Sequence, residues 1–513
     1  MAVKRGLPAQ RLRRLLRWAA SMLVLLTPGL AHARWLRAES PLFVAYSNGD
    51  EGKLRSFVED LERFDAFLRV LTGTTAPPAA NKLEIILVSN GHVVREVNPY
   101  MPSTIAGFYS AGSGGVFAIA ERRTENEEFL SAQAVIFHEY THHFVNQYFP
   151  GVYPTWYQEG FAEYCSTIKF RGGNVVEFGR PLNERAASLF YMPWLPIQQV
   201  IAPARGSYQL GEMFYAESWL ATHYLLRDPR REPLLIKYLT GLRNGADPTT
   251  SFQGIFGMDF PTFEKQLQAY LRGKSLTYTQ GKWTPPASPH IDVSAEPPAA
   301  DAMLLAHARL VAHAVRKADA PAFIAQLRTA AAPFPDDPLA LRTLAMAEIS
   351  FGDPDQADAP LDRLLKAHPE DVEANYLKGF KLMTAASRSP KDAPALFLQA
   401  RPFFAKAHQL DANYYPALYL YAESFLAAPG PPSENTLNVY LLAHDLAPQV
   451  DDISLEAARA LKRANRWPEA KVLLEMVAYE PHPNGATLLA RRMLEAGASA
   501  ADPLPTELDD DQP

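Results

Sequence analysis

The sequence predicts an α+β domain followed by an all-α domain of helical repeats. Three observations carry that prediction. Short apolar runs of strand character precede long helical periodicities as far as residue 272. A proline-rich stretch with no apolar period follows at 273–300. Beyond it an anchor pattern recurs through a region with helical patterning. A chain of 513 residues has room for about three domains. With 48 % apolar and 21 % charged residues it can bury a sizeable core.

The leader at 1–33 stands apart from this scheme. It holds six bases (Lys4, Arg5, Arg11, Arg13, Arg14, Arg17) and no acid, then an apolar stretch at 18–30 and Ala31-His32-Ala33. A basic start, a short apolar segment and a small-x-small site read as a secretory signal peptide at 1–33, cleaved after Ala33. The apolar stretch, broken by Pro28-Gly29, is shorter than the roughly 20 residues that span a bilayer. Arg13-Arg14 hints at twin-arginine export. The expectation is an exported protein with no transmembrane helix after signal removal. Removing the leader's six bases takes the formal net charge from −6 to −12. Such a chain repels phosphate backbones, which argues against nucleic acid as a partner. The single cysteine, Cys165, can form no intrachain disulfide and reads as a small buried apolar residue.

In the domain at 34–272, strands are expected at 41–46, 83–88, 105–109 and 116–120, the last two framed by glycine-rich turns. Helical spacing appears at 54–71, 129–148, 156–168, 212–226 and 260–271. Residues 273–300, with Pro285, Pro286, Pro289, Pro297 and Pro298, read as a linker. Downstream, anchors stand at 335, 369, 412, 448 and 481, and the steps between them are 34, 43, 36 and 33. The long step exceeds the first by nine, which a loop insertion at 387–395 would supply. This period, with small residues at Ala345, Ala357, Ala458 and Ala470, resembles tetratricopeptide repeats over 301–500. Stacked helix pairs of that kind share a continuous core and offer a concave surface, here expected to take a protein client or partner. Residues 501–513 read as an acidic tail.

The chemistry lies in His138-Glu139-Tyr140-Thr141-His142, within the 129–148 helix. Four residues make about one turn, so the two imidazoles share a face with Cβ atoms about 5–6 Å apart. Two imidazoles so placed can chelate one Zn²⁺. Glu139, rotated about 100° from His138, sits beside the metal rather than on it, where its carboxylate can take a proton from the attacking water. Catalytic zinc needs a third protein ligand. The next helix offers Glu159, far enough beyond His142 for a turn and a returning helix. Gly160 permits a close helix approach there. Glu163, one turn further on, is either a partner for the second ring nitrogen of a zinc histidine or a surface carboxylate. His143 points elsewhere on the helix and reads as a packing residue.

His138-Glu-x-x-His142 followed by Trp156-x-x-Glu159-Gly-Phe-Ala resembles the gluzincin metallopeptidases, the zincin-like group of thermolysin and the M1 aminopeptidases. More narrowly, the chain is similar to the DUF1570 group of bacterial exported proteins, which join such a domain to tetratricopeptide repeats. The supporting stretches lie at 35–38, 138–144, 153–163 and 214–224. The resemblance implies a zincin-like α+β fold, Zn²⁺ as cofactor, Glu159 as third ligand and a periplasmic location. It also implies an oxyanion-stabilising tyrosine, for which Tyr215 holds the similar place and Tyr208 is a rival. The Gly-x-Met-Glu-Asn motif of the M1 enzymes has no counterpart at 100–137. An endopeptidase, pairing an extended peptide with an edge strand at 116–120, therefore fits better than an aminopeptidase. The competing expectations are a catalytically silent repeat scaffold with a vestigial metal domain, and a hydrolase of bonds other than peptides.

Overall fold

The apolar run at 83–88 becomes the middle of a sheet covered on both faces. The computed structural model describes residues 34–122, 132–172, 174–203, 211–273, 278–426 and 430–499. The leader at 1–33, Tyr208 and the tail at 501–513 lie outside the described residues. The strands are β1 (Leu36–Glu39), β2 (Phe43–Ser47), β3 (Leu83–Val88), β4 (Gly107–Gly112), β5 (Gly115–Glu121), β6 (Lys169–Arg171), β7 (Val175–Phe178), β8 (Thr279–Lys282) and β9 (Asp292–Ala295). The larger sheet has the order β4-β5-β3-β2-β1-β9, and β6-β7-β8 form a smaller one. In the larger sheet β2, β3 and β5 run parallel, with β4 antiparallel to β5 and β1 antiparallel to both β2 and β9.

Up to residue 272 the helices are α1 (Glu51–Thr72), α2 (Gly91–Val97), α3 (Ala132–Tyr148), α4 (Thr155–Ser166), α5 (Asn183–Tyr191), α6 (Ile197–Ile201), α7 (Glu212–Leu226), α8 (Glu232–Arg243), α9 (Pro248–Phe256) and α10 (Phe260–Arg272). Side chains alternate across a strand. Ile85, Leu87, Ala118 and Ala120 join one core with Leu61 and Phe64 of α1 and Phe137 and Tyr140 of α3. Ile86, Val88, Phe117 and Ile119 join another with Val94 and Val97 of α2. That second face is completed by Ala300, Leu304 and Ala308 of α11 (Ala300–Val311), the first helix of the C-terminal region.

Two expectations are corrected here. The strand at 116–120 is not an edge. It lies within β5, between β4 and β3, and the edge on that side is β4. Local patterning marks a strand but carries no information on its neighbours. The stretch at 273–300 is also more than a linker. Its β8 pairs with β7 and its β9 with β1, so the chain is pinned to both sheets. These short strands are mostly exposed, which is why no apolar alternation betrays them.

The helical region continues with α12 (Ala320–Ala331), α13 (Pro338–Phe351), α14 (Asp358–Ala367), α15 (Val372–Arg388), α16 (Ala393–Leu410), α17 (Tyr415–Leu426), α18 (Glu434–Leu446), α19 (Asp451–Arg463), α20 (Trp467–Ala478) and α21 (Gly485–Ala496). Helices α13, α15, α17, α19 and α21 open at 338, 372, 415, 451 and 485, which reproduces the near-even spacing of the anchors and its one long step. The long step is no loop insertion. Residues 387–388 and 393–395 are helical, and α15 and α16 are longer than α13 and α14. Ala345, Ala357, Ala458 and Ala470 are fully buried, as close helix crossings require. No helix among the described residues is long and apolar enough to cross a membrane.

The two regions share cores rather than a tether. Besides the α11 contact, Tyr415, Leu418, Val450 and Ile453 pack with Ala111 of β4 and Val116 of β5. Tyr415 donates to the Gly112 carbonyl at 3.2 Å, and Tyr100 donates to Asp319 at 2.6 Å. From Trp35 onward the chain is one compact unit.

Candidate metal centre

Helix α3 is oriented by its aromatic side. Phe137 stacks on Phe64 of α1 at 3.8 Å between ring centroids. Tyr140 donates to Asp65 at 2.7 Å, and that carboxylate also accepts from Arg69 at 2.7 Å. With Ile136, Phe137, Tyr140 and Phe144 committed to the core, the helical period turns His138 and His142 toward α4 and the cleft. His143 is a packing residue, as expected. It is buried, stacks on Tyr140, contacts the Tyr109 hydroxyl at 2.9 Å, and is held neutral by burial, which lowers its pKa to about 4. Through Tyr109 it also ties α3 to β4.

Helix α4 is buried over most of its surface, including Trp156, Cys165 and Glu159. Cys165 is fully buried, with its thiol pushed up by burial, so its reading as a small apolar residue holds. Gly160 does permit a close approach, but by α7 rather than α3. A Cβ there would lie 2.3 Å from the Ser218 carbonyl oxygen and 2.3 Å from Thr222 Oγ1.

The packing of α3 and α4 brings His138, His142 and Glu159 together, with one ligand-type atom from each within 4.8 Å of the others. The Nε2 atoms of the two histidines are 3.2 Å apart, and Glu159 Oε2 lies 3.3 Å from His138 Nε2 and 3.6 Å from His142 Nε2. Donor atoms about 2.0–2.1 Å from a tetrahedral Zn²⁺ stand about 3.3–3.4 Å from one another. The donor set therefore fits zinc in both type and spacing. Glu159 is fully buried, and neither of its oxygens has an aligned hydrogen bond. A buried carboxylate without hydrogen bonds needs positive charge beside it, which protonated imidazoles or a metal ion between them can supply. The electrostatics agree. Burial opposes ionisation of Glu159, but the two imidazoles hold its carboxyl well below the usual range. Burial likewise opposes a charge on His138, yet Glu159, Glu139 and Glu163 raise it to about 9.

Around the triad lies a cleft of ≈ 640 Å³, lined by Glu139, Tyr215, Glu163 and the first half of β4. Glu163 is buried rather than a surface carboxylate. Its Oε1 faces His138 Nδ1 at 3.8 Å and accepts from Arg185 of α5 at 3.0 Å. The Arg185 guanidinium also lies 5.0 Å from the Tyr215 ring centroid. Burial first, and the charge of Glu159 next, keep the Tyr215 phenol protonated well above its ordinary range. Arg185 escaped the sequence reading because it lies outside any motif. So did the far wall of the cleft, where Asp451, Glu480, Pro481, His482 and Asn484 of the helical region face the triad. A repeat anchor at 479–481 marked that loop, but nothing in it announced a place at the centre.

No family model matches the chain, and no curated protein matches it. Among solved structures, one titled "MamA RS-1 ArsTM double mutant" is similar over 31 % of this chain and 84 % of its own, at 19 % identity and a TM-score of 0.25.

Proposed function

We propose that this chain is an exported, zinc-dependent metallopeptidase of the gluzincin type, acting within extended peptides. The observation that carries the reading is the convergence of His138, His142 and the buried Glu159, whose oxygens have no aligned hydrogen bond, with Glu139 lining the same cleft. Zinc, when bound, supplies Lewis-acid polarisation of the scissile carbonyl and acidifies a water molecule. Glu139 takes the proton from the attacking water and returns it to the departing amine. The Tyr215 phenol, kept protonated, donates to the oxygen on which negative charge develops. Residues Gly107, Phe108 and Tyr109 of the edge strand β4 line the cleft and offer backbone groups to an extended peptide, by strand addition. The C-terminal helices are read as tetratricopeptide-type repeats whose concave surface takes a protein client, and the location as periplasmic.

The test is metal analysis with paired variants. Purified protein should carry one zinc per chain, and the His138→Ala/His142→Ala double variant none. Glu139→Gln should keep the zinc and lower peptide hydrolysis by about 10²–10⁴-fold, since the base is not a ligand. Stoichiometric zinc in the double variant overturns the site, and a zinc-free Glu139→Gln protein overturns the division of roles.

A further inference from the structure

The loop between α20 and α21 reaches across to the metal centre. His482 in that loop places Nε2 3.2 Å from Glu159 Oε1, the carboxylate oxygen opposite the one that faces His138 and His142. Its ring meets that of His142 edge-on, 5.9 Å between centroids. The loop is held by both metal-site helices. Asn146 of α3 donates to Glu480 at 3.1 Å, and Gln158 of α4, next to Glu159, donates to the Tyr479 carbonyl at 3.3 Å. Pro483 follows His482 and disfavours a helical conformation there. Asn484 then closes the loop, capping α21 through a reciprocal pair with Thr487 and donating to Asp451 at 2.8 Å.

We propose that His482 is a positioning residue for the metal centre, supplied by the helical region. Its Nε2 stands within reach of Glu159 Oε1 at 3.2 Å, and a ring N–H turned to that oxygen leaves Oε2 as the one facing His138 and His142. The inference rests on the reading of the triad as a zinc site. A fourth-ligand role fits the geometry less well. A catalytic site keeps its fourth position open, and the tight group of donor atoms comprises His138, His142 and Glu159 without His482. A donor on the outer oxygen of a ligating carboxylate fixes its orientation, and loss of such a partner weakens metal binding by about 10–100-fold. The helical region then does more than dock clients. It completes the site that cuts them.

The experiment measures zinc affinity of the full chain by competition with a chromophoric chelator. His482→Ala should bind zinc about 10–100-fold more weakly than the parent, while His482→Gln, whose side-chain amide can donate at similar reach, should recover most of the loss. Because His482 is half-exposed in a loop, both variants should unfold thermally with the parent when metal-free. In cobalt-substituted protein the visible ligand-field bands should shift for His482→Ala and return for His482→Gln. Affinity of His482→Ala within twofold of the parent overturns the proposal. Equal losses in the Ala and Gln variants overturn it too, in favour of direct ligation. A His138→Ala control that keeps parental affinity instead overturns the zinc reading itself, whatever His482 does.

Discussion

Helix α7 beside the candidate metal centre and helix α19 of the C-terminal region are packed differently. Helix α7, which backs the site, is buried from Met213 to Leu225 apart from Tyr215, and it takes Glu217, Ser218, Thr222 and His223 into the interior. Helix α19 buries one face through Ile453, Ala457, Ala458 and Leu461, while Glu456, Arg459 and Lys462 stay partly in solvent. The first arrangement carries polar groups into a low-dielectric interior at a cost in stability. The second is a period of small and branched apolar residues that can be stacked repeat upon repeat. Polar groups are buried in both regions, Glu217 and His223 in α7 and Glu348 and His444 among the C-terminal helices, and what sets the C-terminal helices apart is the repetition of their period.

Three substitutions sharpen that contrast, and the largest effect is expected at Gly160. A methyl group there meets the Ser218 backbone, which cannot rotate away. Gly160→Ala should destabilise the protein by about 3 kcal/mol or more and, by displacing the adjacent Glu159, strip the zinc. Thermal unfolding together with metal content reads both effects, and an Ala variant that keeps parental stability shows that α4 and α7 have slack.

An overpacking change of the same kind in the helical region should remain local. Ala345 of α13 is fully buried against other helices. Ala345→Leu should cost about 1–3 kcal/mol with zinc stoichiometry unchanged, since stacked helices can shift slightly along the array. Zinc loss in this variant breaks the comparison and shows that the two regions respond as one.

The smallest effect depends on pH. Burial raises Glu217 to about 8, although it accepts from the Leu195 backbone N–H at 2.9 Å. Between the ordinary carboxylate range and about 8, the folded chain keeps a proton that the unfolded chain has released. Stability from this group is thus present in acid and lost as pH rises through that window. Glu217→Gln, which cannot ionise, should be more stable than the parent at pH 8.5 and differ little from it at pH 4.5. Unfolding midpoints at the two values check the sign, and a gain confined to low pH reverses it.

The local parts of this design were legible in the chain. Residues 83–88 and 212–226 form a strand and a helix with the bounds the pattern implies. The placing of His138 and His142 on one face follows from helical geometry alone, and the burial of His143 and Cys165 follows from their apolar surroundings. The surplus length of the long repeat was visible as a number, yet not as longer helices, because Ser387 and Ala395 carry no signal that separates a loop from a helical extension. Glu163 was ambiguous for a related reason. A carboxylate one turn from Glu159 reads the same whether solvent or Arg185 meets it, and Arg185 lies on a different helix further along the chain.

What the sequence determined by itself are features set within one or two helical turns or by a fixed period: the His-Glu-x-x-His face, the small residues at 345 and 458, and the regular recurrence of the anchors. Tertiary structure alone decided which strand forms the open edge, that α7 and not α3 presses on Gly160, that 273–300 is pinned to both sheets, and that His482, near the far end of the chain, stands 3.2 Å from Glu159. The physical reason is range. Helical phase and repeat period are written in neighbouring residues, whereas strand order and long loop contacts depend on how all the buried surfaces are shared at once.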